Sequence, residues 1–343
     1  MAVRCRLLDA ASEAAWDDFV LSRPEGTFFH RAAWRHVITG AFRHPSCYLL
    51  AEQDGAITGV LPLVHVKTRL FGNGLVSLPF CVYGGPLAAD RETEAALEHE
   101  AAQLMQSSGA RFCEFRFLRP AGCGWPESPA LYETFRKKLA PADEANLQAI
   151  PRKQRAVVRK GIANGLRARI GREAGPFFRL YSESVRNLGT PVFPRRYFRL
   201  LLDLFADSVE VLTVEDAGQP IAAVLSFVFR NEILPYYAGG GRAARARAGH
   251  DFMYWEVMRR AVARGLNLFD FGRSKIGTGA HAFKKNWGFV PEPLHYRHLL
   301  APGARMPENN PLNPKYRMLI AAWKRMPLPL ANLLGPRIVR GIG

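Results

Sequence analysis

Twice along its 343 residues the chain runs through the same succession of elements: helices, then strands about a tight turn, then a glycine-closed helix and a final strand. In the first half the spacing of apolar residues predicts helices over 11–21 and 31–42, and a strand pair over 47–53 and 56–67 around Asp54-Gly55, a strong hairpin signal. A helix over 91–108 ending at Gly109 and a strand over 112–118 follow. The second half predicts helices over 153–164, 177–188 and 196–205, strands over 209–214, 222–229 and 232–238, a helix over 252–264 closed by Gly265, and a strand over 266–271. A chain this long exceeds the usual size of one core. The expected class is therefore α+β (mixed α/β) in two similar units, 1–145 and 146–300, each with a mixed, mainly antiparallel sheet. Residues 301–343 form a Pro/Asn-rich linker and a basic tail.

Charge divides the halves. Residues 1–150 carry 15 Lys/Arg against 17 Asp/Glu, and 151–343 carry 32 against 13, net −2 and +19. A basic second half favours phosphate-rich partners: a nucleotide-linked donor, tRNA, a lipid-phosphate acceptor or an anionic membrane face. The five cysteines, Cys5, Cys47, Cys81, Cys113 and Cys123, include no close pair of metal or redox spacing, so reduced buried thiols are expected and no metal is implied. No apolar run reaches bilayer-spanning length and the first residues lack an apolar signal core, which points to the cytoplasm.

Leu266–Phe289 is the most site-like stretch: a strand, a loop with Gly272, Gly277 and Gly279, then Phe283-Lys284-Lys285 before Trp287-Gly288-Phe289. Such a loop can wrap a ligand and present a cation; two solvated lysines are the plain alternative. The segment Ile150–Leu166 opens with proline and puts Arg152, Arg155 and Arg159 on one helical face, with Val158 and Ile162 turned inward. Gly241, Arg245, Arg247 and Gly249 precede the helix at Phe252, where backbone amides could receive a pyrophosphate. Among His250, His281, His295, His298 and Asp270, no general base stands out. In the tail, Leu319, Ile320, Trp323 and Met326 have helical spacing beside Lys315, Arg317, Lys324 and Arg325, which suits either a strap or peripheral contact of 315–340 with an anionic membrane.

The basic helix at 150–166, Tyr83-Gly84-Gly85-Pro86, the segment Tyr181–Thr190 and DFG followed by FKKNWGF together resemble the FemAB-like aminoacyltransferases over nearly 300 residues. TPVFPRRYF, FKKNWGFVPEPLHY and the NPKYRMLIAAWKRMPLPLANLLGP tail are similar to the branch found beside exosortase/PEP-CTERM and exopolysaccharide systems. The resemblance implies two tandem GNAT-type (acyl-CoA N-acyltransferase-like) domains and transfer of an acyl or aminoacyl group to an amine. It implies a catalytic lysine at Lys284, with Lys285 as the substitute one residue on, and an acceptor held by Arg186 and Tyr197, with Arg195 and Arg196 competing for the same assignment. Ile38 stands where the peptidoglycan-bridge enzymes suggest an acceptor-binding lysine, so a muropeptide acceptor is not expected. The donor is left as acyl-CoA or aminoacyl-tRNA. A non-catalytic scaffold of the same fold, holding an anionic glycan-lipid or a membrane, is the competing class; specific DNA binding is not expected, for no reading motif accompanies the cations.

Overall fold

The computed structural model describes residues 2–68, 72–120, 122–129, 131–305 and 317–341. The chain forms two compact units. The first contains β1 (Arg4–Leu7), α1 (Glu13–Ser22), α2 (Trp34–Phe42), β2 (Leu49–Gln53), β3 (Ala56–Leu61), β4 (Leu63–Thr68), β5 (Gly72–Ser77), β6 (Leu87–Ala88), α3 (Arg91–Ser107) and β7 (Phe112–Phe117). The second contains β8 (Tyr132–Lys138), α4 (Asp143–Gln148), α5 (Arg152–Ala163), β9 (Arg167–Gly171), α6 (Ala174–Leu188), α7 (Arg195–Leu204) and β10 (Val209–Asp216). It continues with β11 (Gln219–Phe229), β12 (Glu232–Gly240), α8 (Arg242–Ala246), α9 (Gly249–Ala263), β13 (Leu268–Asp270), β14 (Ser274–Lys275), α10 (Gly279–Asn286) and β15 (Pro291–Pro293). Then β16 (His295–Leu300), α11 (Arg317–Arg325) and α12 (Leu328–Val339) complete the chain.

The units do not follow the linear division at residue 145. β8 pairs antiparallel with β13, Arg136 opposite Asp270, and so belongs to the second unit, whereas β16 pairs with β7 of the first. Unit 1 is Met1–Ala130, Leu294–Pro311 and Arg337–Gly343; unit 2 is Leu131–Pro293 and Leu312–Pro336. Hydrophobic alternation marks a strand but not its distant partner, which is why a sequence boundary missed this exchange. The tail is likewise not a segment of its own.

In unit 2 the sheet runs β14-β8-β13-β12-β11-β10-β9, antiparallel except for the parallel step from β12 to β13. Its core gathers Val158, Phe252, Met258, Phe269 and Trp287, all buried. Unit 1 builds two sheets, β1-β2-β3-β6 and β16-β7-β5-β4. The strand expected over 56–67 is broken at Pro62, which has no N–H to give a ladder and divides β3 from β4. Asp54 and Gly55 both have positive φ, as the tight turn between β2 and β3 requires.

One sequence expectation about a helix face changes. Ile162 is exposed, and α5 instead approaches α9 through Gly161, where a Cβ would lie 2.8 Å from Phe252 Cβ. In the tail, Pro336 sits inside α12. Expected linker residues 306–316, with Lys315, lie outside the described residues.

The tightest backbone approach is at Gly239 of β12, where a Cβ would lie 2.4 Å from Tyr181 Cα and 2.5 Å from Leu180 O. Since neither atom can swing away, Gly239→Ala should lower unfolding free energy by at least about 1–3 kcal/mol. Gly171→Ala, whose Cβ would meet only Arg169 Nη1 at 3.7 Å, should change it far less in the same denaturant titration.

Candidate active site

The parallel step is short. β12 meets β13 at Glu232↔Leu268 and Ile233↔Phe269, yet β12 runs on to Gly240 while β13 ends at Asp270. Beyond those pairs β12 has no ladder partner in β13, and Gly272 stands beside Tyr236 of β12, where a Cβ on the glycine would lie 4.0 Å from the Tyr236 ring.

The turn after β13 is fixed by its own side chain. Asp270 Oδ1 accepts from Gly272 N at 2.6 Å, and Gly272 takes the left-handed conformation, φ +66°, that glycine permits without strain. Thr278 then caps α10, its hydroxyl accepting from His281 N. The lysine pair therefore sits on a helix, not on the expected open loop: a capping residue followed by GAHAFKKN is a helix start that the glycines disguise.

On that helix the two lysines part. Lys285 is exposed, whereas Lys284 is 9% exposed and folds back to donate from Nζ to the carbonyl oxygens of Gly272 (2.9 Å) and Arg273 (3.1 Å). Its Nζ lies 5.3 Å from the Phe135 ring centroid and 5.9 Å from that of Phe271. Burial lowers the Lys284 pKa to about 7; Asp270 opposes the shift and the Arg273 guanidinium adds to it. Near neutral pH the amine thus exists in both protonation states.

Behind it lies a buried ionic cluster that sequence reasoning missed. Arg136 on β8 pairs with Asp270 at 3.2 Å and with Glu232 on β12. Glu232 is raised to about 6 by burial and by Asp270, with Arg136 opposing. The three residues span nearly 135 positions of sequence, and only the pairing of β8, β13 and β12 unites them, so no local motif could mark them.

A cavity of about 430 Å³ opens among α5, α8, α9 and α10, lined by Lys160, Arg245, His250, Asp251, Tyr254 and Phe283 among others. Lys284 is not in its wall; the adjacent Phe283 is. Burial and Arg245 lower the His250 pKa, and Asp251 is held by Trp287 Nε1 at 3.1 Å and by Gln154 Nε2. The N-cap position of α9, Ala248, offers no side chain to its amides. Unit 1 differs at the corresponding place after its own parallel pair, β5 with β7: there Asp90 caps α3 through Thr93 N at 2.8 Å, with Glu92 and Glu94 in the first turn. Those carboxylates disfavour an anion there, whereas the first turn of α9 has one acidic residue, Asp251, whose carboxylate is held by Trp287 and Gln154.

The remaining expected site residues are dispersed. Arg152 and Arg159 are exposed on α5, but Arg155 is tied back to Gln148 O at 3.0 Å. Arg245 reaches the cavity and Gly241 precedes α8, with Gly249 beginning α9. Arg247 instead forms a two-pronged pair with Asp216, 2.8 and 3.1 Å, and donates to Asn164 O, so its guanidinium is spent on the fold. Arg186 donates to the carbonyls of Lys324 (3.2 Å) and Met326 (3.4 Å), closing the end of α11. Tyr197 is fully buried, its hydroxyl bonded to that of Tyr237 at 2.8 Å, while Arg196 is exposed. His281 pairs with Glu133; His295 and His298 belong to unit 1.

Residues 148–285 match the family model described as an acetyltransferase (GNAT) domain. The match lies within unit 2. Among solved structures the fold is similar to the crystal structure of FemX (TM-score 0.69, 14% identity, 92% of this chain and 100% of that one). It is also similar to L-PGS from Bacillus licheniformis (0.58, 12%, 94% and 99%) and to the tandem GNAT protein from the clavulanic acid biosynthesis pathway (0.54, 13%, 88% and 100%). No curated protein matches the sequence. The chain has a tandem GNAT architecture with mixed sheets. No group of three or more metal-ligating side chains occurs among the described residues, and no described helix is long and apolar enough to cross a membrane.

Because Lys284 is depressed from its ordinary 10.5 to about 7 in the folded state, the unfolded chain binds one more proton between those values. Wild-type stability should therefore rise from pH 7 toward 10 by an amount that Lys284→Met lacks. Urea titrations of both proteins at three pH values would show the gap between them changing in that direction.

Proposed function

We propose that the protein transfers an acyl or aminoacyl group to an amine and that Lys284 is the proton-handling catalytic residue. The observation that carries this reading is the placement of Lys284 Nζ at the end of β13, with two of its bonds already given to Gly272 O and Arg273 O. In the neutral amine those two bonds use both N–H groups and leave the lone pair free; in the ammonium they leave one N–H free.

The chemistry follows from that geometry. As the acceptor amine attacks the donor carbonyl, its nitrogen forms the new C–N bond and becomes cationic, and neutral Lys284 takes the proton it must lose. The resulting ammonium lies beside the oxyanion and lowers its energy, since a charge fixed in a dry site needs no reorganisation. Collapse breaks the bond to the leaving thiolate or ribose oxygen, which receives the proton, and Lys284 returns to the amine. Asp270 and Arg136 position the turn and the charges around it without touching substrate.

The donor's phosphates would lie against Lys160, Arg245 and the start of α9, leaving its carbonyl to pass Phe283 toward Lys284. Acyl-CoA is favoured by the GNAT domain match, and aminoacyl-tRNA by the sequence resemblance to the FemAB-like aminoacyltransferases together with exposed Arg152 and Arg159. The acceptor we infer is an amine of a cell-envelope or exopolysaccharide-related precursor, on the resemblance of the 190–198, 283–296 and tail motifs to the exosortase-associated branch.

Lys284→Ala should reduce transfer about 10²–10³-fold while leaving donor binding within about twofold, and Lys285→Ala should retain activity. Equal transfer by Lys284→Ala and wild type would contradict the role of Lys284, and donor or glycan-lipid binding without transfer in either protein would favour the scaffold. Thermal shift separates the donors: a rise with acetyl- or longer acyl-CoA assigns CoA, and a rise with charged but not uncharged tRNA assigns the aminoacyl ester. Lys160→Ala with Arg245→Ala should weaken whichever shift occurs; no shift with either ligand contradicts the cavity's role.

A further inference from the structure

The C-terminal helices leave large apolar side chains in water. On α11, Met318 and Leu319 are 83% and 67% exposed; on α12, Leu330 and Leu333 are 43% and 60% exposed; and Leu188, at the end of α6, is 69% exposed. Both helices are anchored by their other faces. Trp323 is buried, and Ala331, Gly335 and Val339 form a buried stripe spaced i, i+4, i+8. The outward positions Leu330, Leu333 and Arg337 share the opposite face at i, i+3, i+7.

The two helices rest on one corner of unit 2. A Cβ at Gly189 would meet Ile320 Cγ2 at 2.5 Å and Lys324 Cε at 3.1 Å, and one at Gly335 would meet Val192 Cγ1 at 2.8 Å. Arg186 closes the end of α11 from the same helix that ends in Leu188. Both helices thereby pack against the same segment, Gly189 to Val192, and each carries exposed large apolar side chains. The tail charge in unit 2 is of one sign: residues 317–336 contain Arg317, Lys324 and Arg325 and no Asp or Glu, and Arg195, Arg196 and Arg199 are exposed toward the start of α7, whose exposed Asp203 stands at its other end.

We propose that this face is a docking surface for an anionic lipid bilayer. Apolar side chains interspersed with cations, with no carboxylate on either helix, match a lipid interface. The tails take up the leucines and the headgroups meet the Lys and Arg heads, which snorkel outward on their aliphatic stems. A docked protein would work at the membrane without spanning it. The proposal is independent of the transfer chemistry, since none of these residues lies at Lys284.

The test is co-sedimentation of the full chain with phosphatidylcholine vesicles and with vesicles containing phosphatidylglycerol. Binding to the anionic vesicles only, weakened by salt, is expected. Leu319→Ser combined with Leu333→Ser should lower the vesicle-bound to free ratio about tenfold, and Lys324→Gln with Arg325→Gln should also lower it. All four positions are exposed, and an unchanged melting temperature confirms that the variants fold. Failure to bind anionic vesicles, or binding untouched by the leucine pair, overturns the proposal. So does self-association that the leucine substitutions abolish, because the face would then belong to a second copy of the chain.

Discussion

The withdrawal of one lysine amine from water governs the rest of the candidate site. Lys284 keeps its hydrogen bonds only because Asp270 bends the chain after β13 so that the carbonyls of Gly272 and Arg273 face it. Asp270 can be buried there only because Arg136 reaches it from β8. A buried amine without such partners would neutralise outright, and a fully solvated one would stay charged; between these limits the protein obtains a group that changes state near neutrality.

Much of the fold was legible in the sequence because it is written in local periodicity. The helix over 91–108, the strands about Asp54-Gly55 and Ala217-Gly218, and the glycine stops at Gly109 and Gly265 lie within a few residues of the observed elements. What could not be read was long-range pairing. The strand Tyr132–Lys138 serves the second unit and His295–Leu300 the first, and their own sequences do not say so. The same limit hid Arg136 and Glu232, whose importance exists only once three strands are placed side by side.

Resemblance drew attention to Lys284 and Lys285, but one residue's rotation of about 100° around α10 separates their environments. Other expected residues show how a cation's identity underdetermines its use. Arg245 faces a cavity, while Arg247, two positions on, is consumed by Asp216. Arg186 caps the tail helix, and Tyr197 completes an aromatic core with Phe193, Phe198 and Tyr237. The two units also differ where their topology agrees: Asp90, Glu92 and Glu94 occupy the helix start of unit 1, whereas that of unit 2 has one acidic residue, Asp251, beside His250 and Arg245.

The most direct measurement is the titration of the Lys284 amine itself, followed by NMR of lysine-labelled protein with the signal assigned by its loss in Lys284→Met. A midpoint near 7, set apart from the surface lysines, is the result this account requires. A midpoint near 10.5 would mean that the amine is solvated and charged, and the proposed exchange of protons at Lys284 would be contradicted.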